Sequence, residues 1–176
     1  MMDFYLKDNS FLLSQNSQKR RQTQKEPQYL KKIILRTNEK TIERLAPGCL
    51  GLFLISGQYP KITLAKRSIA AYKSRQGDSL GFLVTLRGSK KNQFLQVLKD
   101  VVLPKLGDFE GFSRSGLDNQ GNFSFGLESF ILWPQCAPYY GIFQDFGGFH
   151  VTLVTESPLS PEESCVLYTK LGLPIR

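Results

Sequence analysis

The chain has 176 residues, 41% of them hydrophobic, enough for one globular domain with a core. The longest apolar run, Cys49 to Ile55 between Pro47 and Gly57, falls far short of the roughly 20 residues that span a bilayer, so a soluble protein with no membrane partner is expected. The formal charge of +8 is unevenly placed: Met1 to Lys91 carries 18 Lys and Arg against 6 Asp and Glu, whereas Asn92 to Arg176 carries 5 against 9.

A basic block on an otherwise ordinary domain is what a polyanion-binding surface produces, although basic residues can also merely solvate a surface. Met1-Met2-Asp3-Phe4 lacks the basic start and apolar run of a secretory leader, and Asp3 and Asp8 argue against a transit peptide. An organellar version is therefore expected to be made inside the organelle or to have shed its presequence. Asn9 to Gln28 is polar, rich in Ser and Gln, and carries Lys19-Arg20-Arg21, so residues 1–28 are expected to form a basic arm ahead of a single domain, residues 29–176.

Leu30 to Thr37 predicts a first strand, and Glu39 to Ser56 a helix that Pro47-Gly48 should break or kink. Ile62 to Lys73 has β-forming residues without a clean period and is expected to be a strand. Leu80 to Arg87 alternates Leu80, Phe82, Val84 and Leu86 with Gly81, Leu83, Thr85 and Arg87, a half-buried strand. The tip between those two strands, Ser74-Arg75-Gln76-Gly77-Asp78-Ser79, should project.

Lys90 to Leu103 keeps Phe94, Leu95, Val97, Leu98, Val101 and Val102 at helical spacing, with Ser89 placed to cap it and Pro104 and Gly107 to end it. Phe94, Leu98 and Val101 are expected to face the sheet. Gly107 to Gly126 reads as a long ordered loop with a short hairpin strand, and Phe130 to Trp133 and Phe149 to Thr155 as further strands. Ser160-Pro161-Glu162-Glu163 has the form of a capping box with proline at the first helical position, opening a helix that Gly172 closes. Strands and helices in mixed order predict an α+β fold, an antiparallel β-sheet with helices packed on one face, the other face free to bind RNA, and a projecting hairpin loop.

Catalytic chemistry is not visible. His150, the single histidine, lies on an alternating strand, where a structural or surface role is expected. Cys136 could serve it as a nucleophile only through a long-range contact, and an inert buried thiol is the simpler reading. Cys49, Cys136 and Cys165 lack the paired spacing of a disulfide framework or zinc knuckle. Gly147-Gly148 has no lysine and helix to make it a phosphate loop, and Asp118 to Asn122 lacks the terminal Glu of a calcium loop, so both read as turns. No enzyme activity, cofactor or metal is expected.

The segment ISGQYPKITLAKRSIAAYKSRQGDSLGFLVTLRG, Ile55 to Gly88, resembles the bacterial-type family of large-subunit ribosomal protein L-five, the 5S rRNA-binding protein of the central protuberance. The likeness continues through VLPKLGDFEGFSRSGLDNQGNFSFGLESFILWPQ and GGFHVTLVT to LGLPIR, in family order, and covers roughly Leu30 to Arg176. It implies a sheet that grips 5S or other large-subunit rRNA, a loop that reaches peptidyl-site tRNA, and a bridge to the small-subunit head. Gln58 matches the glutamine of the family's Gly-Gln-x-Pro motif and Thr85 the threonine of Val-Thr-Leu-Arg-Gly, both implied rRNA contacts. Tyr72 stands where the family usually has Phe, to stack on RNA or pack in the core. Arg36 replaces a usual Asn, Thr37-Asn38-Glu39-Lys40 replaces a glycine-rich turn, and Ala71 replaces a common Gly. These departures point to a mitochondrial ribosome before a plastid or bacterial one, and a free-standing RNA-binding or regulatory module is the alternative, a degenerate enzyme the distant third. The expected rRNA surface is therefore Arg36, Gln58, Thr85 and Arg87 with Tyr72 and the basic stretch Lys61, Lys66, Arg67 and Lys73; Ser74, Arg75, Gln76, Gly77, Asp78 and Ser79 are the expected tRNA contacts, Arg75 foremost.

Overall fold

A computed structural model of the chain describes residues 29–38, 42–107 and 109–176; the expected arm, 1–28, lies outside them. In the first strand, β1 (Leu30–Arg36), alternation buries Ile33 and Leu35 and turns Lys32, Ile34 and Arg36 the other way. Its companions are β2 (Lys61–Leu64), β3 (Ser79–Leu86), β4 (Phe123–Leu127) and β5 (Phe149–Thr155), joined in one antiparallel sheet of order β2-β3-β1-β5-β4. Central β1 sets Leu35 opposite both Val84 and Val151, and Ile33 opposite both Leu86 and Leu153. Those six side chains are the floor of the core.

The helical layer consists of α1 (Ile42–Ser56), α2 (Gly88–Val97), α3 (Tyr140–Phe143) and α4 (Pro161–Lys170). Each puts an apolar group on that floor. Leu52 of α1 is fully buried, and Phe94 of α2 stacks on Trp133 at 4.8 Å. Phe143 of α3 stacks on Phe130, which meets Phe149 at 4.6 Å, and Tyr168 of α4 meets Phe123 at 5.2 Å. Trp133 is buried although its Nε1 has no hydrogen-bond partner among the described residues. The architecture is α+β, as the sequence predicts.

Local details depart from expectation for identifiable reasons. Proline at position 47 does not end α1. Gly48 and Gly51, on the next turn, lie so near Phe146 and Phe130 that a Cβ would stand 2.9 and 2.6 Å from their rings, so close packing on two aromatics holds the helix through the proline. The strand expected over Ile62 to Lys73 stops at Leu64, where the pairing register with β3 shifts. Ser89 is not the cap of α2, because the helix starts earlier and Arg87 occupies the cap position without a side-chain bond.

Beyond Val97 the helix widens into a π turn, Leu98–Val102, before a last α turn, Leu103–Lys105, that contains Pro104. Leu103 donates its N–H to the Leu98 carbonyl, and the extra residue in that turn buries Leu98, Val102 and Leu103 while Val101 is only half-buried. Phe94 and Leu98 thus face the core as expected, and Val102 takes the place assigned to Val101. Phe130 to Trp133 is not a strand. Trp133 donates its N–H to the Phe130 carbonyl, and Cys136 and Ala137 donate to Trp133, so this apolar run is a series of tight turns that packs as core.

The capping box of α4 is present. The Glu163 N–H donates to Ser160 Oγ at 3.3 Å, and the Ser160 N–H donates to Glu163 Oε2 at 3.1 Å. These bonds hold the Glu163 carboxyl below the ordinary glutamate range, the backbone N–H contributing most. A lowered folded value means that the stabilisation is present above the unfolded value and is lost as pH falls through the folded one. Amide exchange in the first turn of α4 should therefore speed up below about pH 4, and Glu163→Ala should remove that pH dependence while leaving the neutral-pH helix frayed at its start.

Candidate nucleic-acid interface

Strand register decides which side chains share the face without helices. Lys61 pairs with Leu83, Leu83 with Arg36, Arg36 with His150 and His150 with Gly126, one row across all five strands. The next row runs Thr85, Ile34, Thr152, Ser124. Lys32 and Thr63 lie on the same face by alternation. Half-buried Ile34 and Leu83 form an apolar centre, ringed by cations, hydroxyls and one imidazole.

Aspartate and glutamate are missing from these rows. The acidic residues of the second half that the structure describes lie on helices and connections, with none on β4 or β5. The open face is thus a continuous cationic and hydroxyl-bearing surface with no carboxylate of its own, the electrostatic requirement for approach by a phosphate backbone. His150 is exposed between Arg36 and Gly126, in agreement with its expected surface role.

The connection from β2 to β3 folds as a compact loop. The Ala65 N–H donates to the Asp78 carbonyl at 2.8 Å, and the Gly77 N–H donates to the Ala65 carbonyl at 3.0 Å. The Gln76 N–H donates to Ser68 Oγ at 2.9 Å and the Arg75 N–H to the Asp78 carboxylate at 2.6 Å. Ile69 and Ser74 exchange backbone bonds, so the tip is Ala70 to Lys73, ending in a left-handed Lys73 at φ 48°. The segment Ser74 to Ser79, expected to be the tip, is instead the returning limb tied down on Ala65 to Ser68. Exposed Arg75 still stands on its outer side.

The expected rRNA residues divide into three groups. Arg36, Lys61 and Thr85 meet on the open face, and Arg36 also meets Lys66 and Arg67 at a cleft of about 790 Å³ between the end of β1 and the loop. Lys73 belongs to the loop tip, as does Tyr72, whose side chain lies outside the described residues. Gln58 and Arg87 lie instead at the ends of helices: Gln58 follows α1, its N–H donating to Ser56 Oγ at 3.1 Å, and Arg87 precedes α2. Lys32, Asn38, Thr152 and Ser124 went unassigned in the sequence. Alternation from Arg36 alone would have found Lys32, whereas Ser124 and Thr152 need the strand order, which no local pattern carries.

Elsewhere the chemistry is quiet. Burial pushes the Cys136 thiol up to about 12, which keeps it protonated and unreactive at neutral pH, and all three cysteines are free. The Asp118 carboxylate accepts from Asn122 Nδ2 at 3.0 Å and from the Gln120 N–H, bonds that lower its pKa and spend its oxygens on its own turn. Among the described residues no cluster of His, Cys, Asp and Glu could hold a metal.

Against this geometry, comparison with known proteins is decisive. Residues 79–175, from β3 through the last strand and α4, match the model of the C-terminus of the ribosomal protein L-five family. The chain belongs to the ribosomal protein L-five family. The large ribosomal subunit protein uL5 of Roseiflexus sp. (strain RS-1) is 43% identical over 125 residues, 71% of this chain and 68% of that protein. That of Chloroflexus aurantiacus is 40% identical over 139 residues, 79% of this chain and 74% of that protein. The uL5 of Ureaplasma parvum serovar 3 is 41% identical over 125 residues, 71% of this chain and 66% of that protein. The α+β sheet with a helix-free face is thus the fold of this family's C-terminal part, and the cations on that face are this chain's own version of its surface.

Proposed function

We propose that this L-five-family chain is a structural constituent of the large ribosomal subunit that binds rRNA through the open face of its sheet, 5S rRNA where the ribosome has one. The observation that carries the reading is the carboxylate-free row Lys61, Leu83, Arg36, His150 and Gly126, with Lys66 and Arg67 beside it. Cations supply the sequence-independent attraction, and Thr85, Thr152 and Ser124 offer hydroxyls to phosphate or sugar oxygens. If exposed Lys66 contacts a phosphate, Lys66→Ala should lower the slope of log K against log salt by about 0.7 to 0.9. An unchanged slope would remove Lys66 from the interface. A free-standing RNA-binding module is the competing reading, and it would wash off large subunits at high salt, whereas a ribosomal constituent would sediment with them.

The exposed loop, with Arg75 on its outer side, is the part suited to peptidyl-site tRNA, because a guanidinium bonds two phosphate or sugar oxygens at once. Arg75→Ala should weaken tRNA binding at the peptidyl site while the protein stays in the subunit, since its backbone N–H, not its side chain, makes the loop's bond to Asp78. Undiminished tRNA affinity would leave Arg75 without that role. A bridge to the small-subunit head is part of the same reading. The relatives named above are bacterial. A mitochondrial ribosome is supported only by the departures at Arg36, Ala71 and Thr37 to Lys40, and fractionation of the source cells would test it.

A further inference from the structure

The cleft between the end of β1 and the loop has a construction that a flat phosphate-binding face does not require. Its buried part is apolar, with Ala65 at 7% exposure and half-buried Leu80, and exposed Ile69 forms a wall. Three cations, Arg36, Lys66 and Arg67, stand at its rim, and none is ion-paired among the described residues. The nearest loop carboxylate, Asp78, is engaged by the Arg75 N–H.

The enclosure is held by backbone bonds on both sides. Ala65 is tied to Gly77 and Asp78, and Ile69 to Ser74. The Thr37 N–H donates to the Phe82 carbonyl, and Gly81, at φ +140°, lies where a Cβ would stand 2.0 Å from the Thr37 carbonyl oxygen. The register shift between Thr63 and Leu64 falls at the same place and brings Leu80 into the cleft lining. The site is therefore pre-formed.

We infer that this cleft receives a single nucleotide extruded from a helical RNA, its base on Leu80 and Ile69 and its phosphate on Arg36, Lys66 and Arg67; the inference rests on the RNA-binding reading above. A volume of about 790 Å³ lies within the roughly 300 to 1,000 Å³ of small-ligand pockets. That is room for one nucleotide and too little for a duplex. An apolar interior with polar groups at a few points is what an unstacked base needs, and Asn38 and Ser74 in the lining offer an amide and a hydroxyl to its edge. Phosphates held only on a surface would gain nothing from an apolar interior.

Three short hairpin RNAs test this with the full chain: one with a single bulged 2-aminopurine, one fully paired, and one abasic at the bulge. The bulged RNA should bind about tenfold tighter than the paired one, a difference of roughly 1.4 kcal/mol. The abasic RNA should lose that gain, and 2-aminopurine emission should change on binding. Ser74→Phe, which fills the cleft without changing charge, should abolish the preference and leave affinity for the paired hairpin unchanged. Equal binding of all three hairpins would overturn the cleft assignment while leaving RNA binding intact; failure of all three to bind would overturn both readings. In assembled ribosomes, benzoylphenylalanine at Ile69 should cross-link rRNA in vacant subunits if the nucleotide is ribosomal, or tRNA only when the peptidyl site is filled. Absence of an RNA adduct in both states would overturn the inference.

Discussion

Replacing Gly148 by alanine is expected to cost more than about 4 kcal/mol, placing it among the most damaging single changes available to this chain. A Cβ there would stand 1.7 Å from the Leu127 carbonyl oxygen and 2.6 Å from its carbon. Both are backbone atoms and cannot rotate aside. Relief requires the end of the β4–β5 ladder, where Leu127 pairs with Phe149, to open. Phe149 is buried against Phe130 and Trp133, so the opening would expose aromatic core. Gly141→Ala is the matched control, because nothing lies within 4 Å of a Cβ at that position of α3. Urea denaturation should show a near-wild-type midpoint for Gly141→Ala and a large fall for Gly148→Ala; equal midpoints would mean that the close approach at Leu127 does not exist in solution.

Leu98→Ala should destabilise by about 2 to 5 kcal/mol, the range for truncating a fully buried leucine. For a domain of this size that corresponds to roughly 5 to 15 °C in Tm. Half-buried Val101 makes the comparison informative. In a regular α-helix Val101 would follow Phe94 and Leu98 on the inward stripe, whereas the π turn brings Val102 and Leu103 inward instead. Val101→Ala should therefore cost clearly less than Val102→Ala, and the reverse order would replace the π turn with regular helix.

The elements legible in the sequence were those whose local pattern and tertiary setting agree. Alternation in β3 and β5 matches strands half-buried in the sheet, and Ser160-Pro161-Glu162-Glu163 specifies the start of α4 through bonds among neighbours in the chain. Where tertiary packing prevailed, local signals misled. Pro47 reads as a breaker but sits beside Gly48 and Gly51 under Phe146 and Phe130. Phe130 to Trp133 reads as a strand because four apolar residues carry no period of their own, and long-range packing folded them into turns.

The candidate interface was half legible. Arg36, Lys61, Lys66, Arg67 and Thr85 were accessible through charge and resemblance, and the structure places them on one face or beside one cleft. The partition of charge between the two halves of the chain concealed the rest. β5 and β4 belong to the acidic half by sequence, yet their outward positions, His150, Thr152, Ser124 and Gly126, hold no acid. Net charge by segment averages over both faces of a sheet, and only strand order separates them.

Trp133 gives the molecule a built-in optical reporter. It is the single tryptophan in the chain, it is buried in the helical layer against Phe94, and its indole N–H meets no acceptor among the described residues. Such an indole emits at short wavelength while the domain is folded and shifts to the red when water reaches it. RNA bases on the opposite face of the sheet cannot touch the ring, so contact quenching is ruled out by position. One titration can therefore follow RNA through a dye on the nucleic acid and the integrity of the domain through Trp133, in the same cuvette and without a label on the protein.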